Sequence, residues 1–148
     1  MSGLVSHDTF TTAIRIAATP DEVFPYLTDP SLIVRWMGDW ADLQPHAGGK
    51  FVLDINGVPI RGRYVAVEPP RRVVFTWGAA GNDALPPGST TVEITLRADG
   101  DETLVELVHR GLPPEELAQH RTGWTHFLDR LIVAAAGGDP GPDPWANR

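Results

Sequence analysis

PEELAQHRTGWTHFLDRLIVAAA, residues 114–136, is the longest periodic stretch of the sequence. Apolar and large side chains recur in it at steps of three and four residues, which places them on one face of a helix. That face consists of Leu117, Arg121, Trp124, Leu128, Leu131 and Ala135. A helix of this length is about 35 Å long, which is enough to cross a small domain. The stretch therefore predicts a long helix that packs its apolar face against the rest of the chain.

Most of the chain before this helix alternates polar and apolar residues, which is typical of half-buried β-strands. We predict six strands, over residues 9–17, 50–55, 60–67, 72–77, 90–98 and 103–109. Asn56-Gly57 and Asp99-Gly100 predict tight hairpin turns, because these dipeptides accept the positive φ angles that such turns require. In the strand from residue 60, both faces carry apolar groups. Its inward side is therefore either that of Ile60 and Tyr64 or that of Val65 and Val67.

Two short helices are expected after strand one, at Thr19-Pro20 and at Asp29-Pro30. Each pair joins a capping residue to a proline, which fits the first position of a helix. Residues 37–49 are expected to be irregular, and residues 137–148, rich in glycine and proline, to form a non-helical tail. The order of elements predicts an α+β fold, in which a curved antiparallel sheet wraps the C-terminal helix. Residues 1–136 would form one domain.

Composition limits the class of partner. The 148 residues carry a formal net charge of −7, so we expect no nucleic acid and no anionic membrane surface as partners. The chain has no cysteine and no histidine spacing of the kind that holds zinc, so we expect no metal and no cofactor. The sequence contains no run of about 20 apolar residues, which is the length that a membrane-spanning helix requires. The first ten residues lack the pattern of a signal peptide, which predicts a cytoplasmic protein.

Aromatic and apolar side chains on the predicted inward faces form the candidate site. They would either line a ligand cavity between sheet and helix or simply fill the core. The candidates are Trp36, Phe51, Leu53, Tyr64, Phe75, Trp77, His109, Trp124 and Leu128. His109 shares a strand face with Val105 and Leu107. It would serve the cavity as a hydrogen-bond partner or proton carrier, or else lie at a strand end bonded to a backbone carbonyl.

Three further features leave alternatives open. Asp54, Arg61 and Arg63 flank the first hairpin and would place charge at the mouth of the cavity or pair across strands in solvent. Residues 78–88 would form a lid or an ordinary solvated loop. Trp145 lies in the tail, and we expect the tail to fold back and dock this indole on the domain.

Six segments together resemble the SRPBCC superfamily, which has the START or Bet v 1-like helix-grip fold. They are TPDEVFPYLTDPSLIVRWMG (19–38), PHAGGKF (45–51), GRYVAVEPPRRVVFTW (62–77), VEITL (92–96), TLVELVHRGLP (103–113) and GWTHFLDRL (123–131). Within that superfamily, the chain resembles the bacterial branch related to the C-terminal domain of Aha-type activators of the heat-shock chaperone ATPase. The resemblance implies a sheet of six or seven strands gripping the last helix around an apolar cavity. It also implies a link to the stress response.

The resemblance does not select one activity, because one fold supports many functions. We expect a protein that binds an apolar or aromatic small molecule, as a monomer or a homodimer. One alternative is a co-chaperone-like module that binds a protein partner. The other is a cyclase or hydrolase that uses the same cavity, with His109, Tyr64 and Arg61 as acid–base groups, although no catalytic motif is recognisable.

Overall fold

The computed structural model describes residues 8–147. Residues 1–7, on which the expectation about a signal peptide partly depends, and Arg148 lie outside the described residues. The strands are β1 (Asp8–Ile16), β2 (Trp40–Leu43), β3 (Lys50–Ile55), β4 (Val58–Glu68), β5 (Arg72–Trp77), β6 (Thr90–Asp99) and β7 (Glu102–Leu112). The helices are α1 (Pro20–Val23), α2 (Pro30–Ile33) and α3 (Pro114–Ala135). Short 3₁₀ helices cover Phe24–Leu27 and Pro144–Asn147.

The strands form one antiparallel sheet in the order β1-β7-β6-β5-β4-β3-β2. All neighbours except β1 and β7 are consecutive along the chain, which agrees with the predicted run of hairpins. The hairpin between β3 and β4 turns at Asn56 and Gly57, whose φ angles are 52° and 87°. The α+β helix-grip architecture predicted from the sequence is confirmed.

The prediction that residues 37–49 are irregular is wrong in part, because this segment contains β2. That strand has only four residues, lies at an edge of the sheet and pairs with β3 alone. Its first residue, Trp40, is 50% exposed. A strand this short shows too few alternations to be recognised, so its pairing with β3 defines it.

The prediction that residues 137–148 contain no helix is also wrong in part, because Pro144–Asn147 forms a single 3₁₀ turn. The turn follows Asp143, whose carboxylate accepts a hydrogen bond from the backbone N–H of Trp145 at 2.9 Å. An aspartate that bonds the backbone two residues ahead initiates a turn even in a segment rich in proline.

The long helix has the predicted position, but its buried face is rotated from the one we predicted. Leu117, Trp124, Leu128, Leu131 and Ala135 do face inward, whereas Arg121 is exposed. Arg121 lies at the border of the predicted stripe, and the buried side is completed by Phe127 and Ala134 instead. An arginine at the border of a helix face keeps its charge in water, because burying it unpaired is costly.

Strand β4 presents Ile60 and Tyr64 to the core and Val65 to solvent, which decides the question that the sequence left open. Gly62 lies between them on the strand. A Cβ added there would come within 1.9 Å of the Thr76 carbonyl oxygen. The register with β5 shifts between Tyr64 and Ala66, and Val67 returns to partial burial. This irregularity explains why both faces of the strand carry apolar residues.

Candidate functional site

A cavity of about 450 Å³ lies between the N-terminal half of α3 and the sheet. The β3–β4 hairpin, the end of β5 and the loop that follows form its opposite wall, and the C-terminal tail closes one end. Its lining is mostly apolar and consists of Met37, Ile55, Asn56, Val58, Ile60, Trp77, Ala79, Asn82, Leu85, Glu116, Gln119, His120, Gly123, Trp124, Phe127, Trp145 and Ala146. This volume is within the usual range of small-molecule sites, roughly 300–1,000 Å³.

Of the nine candidate residues, Trp77 and Trp124 line this cavity. The other seven are buried in the core around it and do not line it: Trp36, Phe51, Leu53, Tyr64, Phe75, His109 and Leu128. Phe51 stacks on Phe75 with ring centroids 3.8 Å apart, and Phe75 lies 6.3 Å from Trp77. The aromatic set is therefore continuous, with most of its members in a packed core and two at the cavity surface.

His109 lies on the inward face of β7 with an exposed fraction of 0%. Its Nδ1 accepts a hydrogen bond from the indole Nε1–H of Trp124 at 3.0 Å, and its Nε2 lies 2.8 Å from the hydroxyl of Thr90. The Thr90 hydroxyl donates to the carbonyl of Trp77 at 2.8 Å, so Nε2–H of His109 must donate to the threonine oxygen. Both ring nitrogens are thus satisfied in the neutral form.

Burial, with a smaller contribution from the nearby His120, lowers the pKa of His109 to about 3. Protonation at Nδ1 would also break the bond to Trp124. The structure therefore places His109 as a neutral link between the sheet and α3. His109 is therefore neither the proton carrier nor the half-exposed strand-end histidine that we considered from the sequence.

His120 lies one helical turn before Trp124 and contributes to the cavity wall. Its Nδ1 donates to the backbone carbonyl of Glu116 at 2.9 Å, and its Nε2 accepts from the indole N–H of Trp77 at 3.2 Å. Burial lowers the pKa of His120, and the hydrogen bond to the Glu116 carbonyl acts in the opposite direction. Two indole–imidazole bonds therefore join α3 to strands β5 and β7.

Glu116 brings a carboxylate to the cavity from the first turn of α3. Its side chain is 13% exposed, and Oε1 lies 3.6 Å from Nδ1 of His120. Since that histidine is held in the neutral form, the contact is not an ion pair at neutral pH. An acidic side chain in this position is favoured by the positive end of the helix dipole.

The C-terminal tail docks on α3 and on the β3–β4 hairpin, as we expected for Trp145. The indole of Trp145 stacks on His126 with ring centroids 3.7 Å apart and meets the edge of Phe127. Asp143 accepts hydrogen bonds from His126 at 2.8 Å and from the side-chain amide of Asn56 at 3.4 Å. These bonds tie the tail to both walls of the cavity.

Arg130 fixes the start of the tail. Its guanidinium donates to the backbone carbonyls of Pro140 and Gly141, and also to those of Arg35 and Trp36 after α2. One side chain of α3 thus holds the tail and the segment after α2 together. Trp145 is kept at the cavity by this contact as well as by its own stacking.

Residues 78–88 form a wall of the cavity, with Ala79 and Leu85 buried. The backbone N–H of Ala79 donates to the carbonyl of Leu85, and that of Ala80 donates to the carbonyl of Pro59. The first bond closes the loop on itself, and the second attaches it to β4. The loop therefore differs both from a free lid and from an ordinary solvated loop.

Tyr64 and Arg61, the other groups considered for acid–base chemistry, are engaged elsewhere. The Tyr64 hydroxyl donates to the carbonyl of Leu27 at 2.9 Å, and burial raises the pKa of this tyrosine. The Arg61 guanidinium bonds Asp54 at 3.1 Å and two backbone carbonyls. Neither residue lines the cavity. Within residues 8–147, no three metal-ligating side chains lie together, and no helix is long and apolar enough to span a membrane.

Three residues of α3 that line this wall were not predicted from the sequence: Glu116, His120 and Phe127. Their spacing of four and seven residues does signal one helix face, and Trp124 lies on that same face. Placing Arg121 on the predicted inward face shifted that face away from these three residues.

Comparison with known proteins gives the family. A family model described as "Activator of Hsp90 ATPase homolog 1-like protein" matches residues 17–136. No curated protein matches the sequence. Among solved structures, an AHSA1-like protein from Rhizobium etli is 40% identical, with a TM-score of 0.78, over 97% of this chain and 92% of that one.

Two further structures share the fold. CalU16 from Micromonospora echinospora is 34% identical with a TM-score of 0.74, over 90% of this chain and 69% of that one. An HSP90 activator from Plasmodium falciparum is 23% identical with a TM-score of 0.72, over 84% and 94%, and this likeness concerns the fold alone. Because the family model spans most of the sequence, the chain belongs to the Activator of Hsp90 ATPase homolog 1-like family and has the helix-grip fold of the SRPBCC superfamily.

Proposed function

We propose that the protein binds an apolar or aromatic small molecule in the cavity between α3 and the sheet. The observation that carries this proposal is a space of about 450 Å³ whose wall includes four aromatic side chains: Trp77, Trp124, Phe127 and Trp145. Burying apolar ligand surface against such a wall yields about 25 cal/mol per Å². The few polar groups around the wall would orient the ligand.

A cavity-filling substitution tests this proposal. Gly123 lines the cavity, and a Cβ added to it would meet no atom within 4 Å, so Gly123→Leu would extend into the empty space. Replacing a mid-helix glycine also favours the helix by up to about 1 kcal/mol, so the variant should fold. Ala118→Leu, at an exposed position of the same helix, is the matched control.

The assay is a thermal-shift screen of lipids and polycyclic aromatics, followed by calorimetric titration of the hits. A ligand at 100 times its Kd stabilises the folded protein by about 2.7 kcal/mol. We expect the hits to bind the unsubstituted protein and the Ala118→Leu variant, and binding by Gly123→Leu to be lost. Equal binding by Gly123→Leu would place the ligand elsewhere, and a screen without a hit would contradict the proposal.

A second candidate is a protein-interaction module of the co-chaperone type. It is supported by Trp40, a half-exposed indole on strand β2 at the edge of the sheet, where a partner strand or side chain could dock. Pull-down of a heat-shock chaperone and stimulation of its ATPase would test this candidate. Loss of both with Trp40→Ala, and their retention with Gly123→Leu, would assign the function to the edge and not to the cavity.

We propose a cytoplasmic protein with a role in the stress response, acting as a monomer or a homodimer. Residues 1–136 would form the domain, with residues 137–148 as an appended tail. The net charge of −7 supports a partner other than nucleic acid or an anionic membrane.

A further inference from the structure

The charge of the cavity wall restricts the ligand further. Among the described residues that line the cavity, Glu116 is the one side chain with a formal charge, and none is lysine or arginine. His120, the neighbouring titratable group, is neutral because burial lowers its pKa and because its Nε2 accepts a hydrogen bond from Trp77. The wall therefore carries a net negative charge.

Glu116 also lacks a cationic partner within residues 8–147. Its nearest basic neighbour is Nδ1 of His120, 3.6 Å away, and that nitrogen is already committed to the Glu116 backbone carbonyl. The side chain is 13% exposed, and its carboxylate oxygens remain accessible from the cavity. A positively charged group entering the cavity would find a carboxylate without a cationic partner. By displacing water, the ligand would lower the local dielectric and strengthen the Coulomb attraction.

The aromatic part of the wall favours the same kind of group. Trp124 lies one helical turn beyond His120. Trp77 packs against Trp124, with the two ring centroids 5.2 Å apart. Phe127 and Trp145 continue the wall, 5.7 Å from each other. Ammonium groups are attracted to aromatic faces, most strongly to tryptophan. A cavity lined by one carboxylate and several aromatic rings thus suits a cation attached to an apolar body.

We infer that the ligand is an apolar or aromatic amine, protonated or quaternary, whose cation lies beside Glu116 and whose body lies against the tryptophan wall. This inference rests on the proposed function, because it assigns the ligand class of the same cavity. It disfavours fatty acids and other carboxylates, since these would bring a second negative charge beside Glu116 without a cation to balance it.

Three probes of one shape test the inference: 1-naphthylmethylamine, 1-naphthylmethanol and 1-naphthoate. They offer a cation, a neutral group and an anion on the same naphthalene body. Titration calorimetry at neutral pH and low ionic strength gives Kd for each. We expect the amine to bind about tenfold more tightly than the alcohol and the naphthoate to bind most weakly. Added salt should reduce the preference for the amine.

Variants assign that preference to Glu116. In Glu116→Gln the ratio of amine to alcohol affinity should fall to about one, whereas Glu115→Gln, an exposed neighbour, should leave it unchanged. Gln119→Glu adds a carboxylate to the same wall and should raise the ratio. Circular dichroism of each variant checks folding. An alcohol affinity equal to that of the amine, or an unchanged ratio in Glu116→Gln, would overturn this inference alone. Failure of all three probes would also overturn this inference, and together with a thermal-shift screen without a hit it would overturn the proposed function.

Discussion

Trp124 offers the sharpest test of how α3 is attached to the sheet. Its indole is 3% exposed, packs on Trp77 and donates a hydrogen bond to Nδ1 of His109. Trp124→Phe keeps an aromatic ring but removes the N–H donor, whereas Trp124→Ala removes the ring as well. The two variants therefore separate the hydrogen bond from the packing.

The expected costs follow from these contacts. In Trp124→Phe, Nδ1 of His109 becomes a buried acceptor without a donor, which reduces the free energy of unfolding by about 1–3 kcal/mol. In Trp124→Ala the lost packing adds to that effect, and large aromatic-to-alanine changes in cores cost about 3–5 kcal/mol. The phenylalanine variant should also raise the pKa of His109, because protonation at Nδ1 no longer breaks a bond.

Urea denaturation at about pH 7.5 measures the free energies, and NMR titration of the His109 ring measures its pKa. Trp40→Phe, at an exposed position, is the control and should change stability by less than about 0.5 kcal/mol. A Trp124→Phe variant as stable as the parent, with an unchanged pKa of His109, would refute the role of the hydrogen bond. A Trp124→Ala variant with almost no cost would refute the burial of this helix face.

Two other predictions concern acid and the tail. His109 has a folded-state pKa of about 3, below its unfolded value of about 6.5, so the unfolded chain takes up the proton first and stability falls as the pH drops below 6.5. Between about pH 7.5 and 5, this proton uptake should lower the free energy of unfolding, measured by urea denaturation, by about 2 kcal/mol. In His109→Gln the free energy of unfolding should depend less steeply on pH, and an unchanged pH dependence would contradict the prediction. Asp143→Ala removes the hydrogen-bond acceptor for His126, Asn56 and the Trp145 backbone. The backbone amides of the tail should then exchange hydrogen faster, and indole fluorescence should shift to the red. Unchanged exchange would show that Arg130 and the stacking of Trp145 are enough to hold the tail.

The candidate site could be predicted only in part. Trp77 and Trp124 are predictable from the sequence, because Trp77 belongs to a strand pattern and Trp124 to the three- and four-residue steps of a helix. Both patterns are local properties of the sequence. The role of His109 was not predictable, although its strand parity did place it inward. Its neutral state depends on Thr90 and Trp124, which lie 19 and 15 residues away along the chain and approach it only when the sheet closes on α3.

Glu116 shows how a small rotation of a helix changes the interpretation of a site. From the sequence, it is an ordinary acidic residue in the first turn of a helix. The packing of α3 turns the side of Glu116 and His120 toward the cavity and leaves Arg121 in solvent. The period of the pattern fixes which residues share a face, but the direction of that face depends on the surface that it meets.

The sequence by itself determined the long helix, the hairpins and the order of the α+β fold, because periodicity, capping residues and turn residues act over a few positions. Tertiary structure alone decided the short edge strand β2, the place at which Trp145 docks and the composition of the cavity wall. Each of these depends on contacts between distant segments: the pairing of β2 with β3, the bonds from Asp143 to His126 and Asn56, and the closure of the sheet on α3. Such contacts leave no local periodic signal, so they become visible only when the chain is folded.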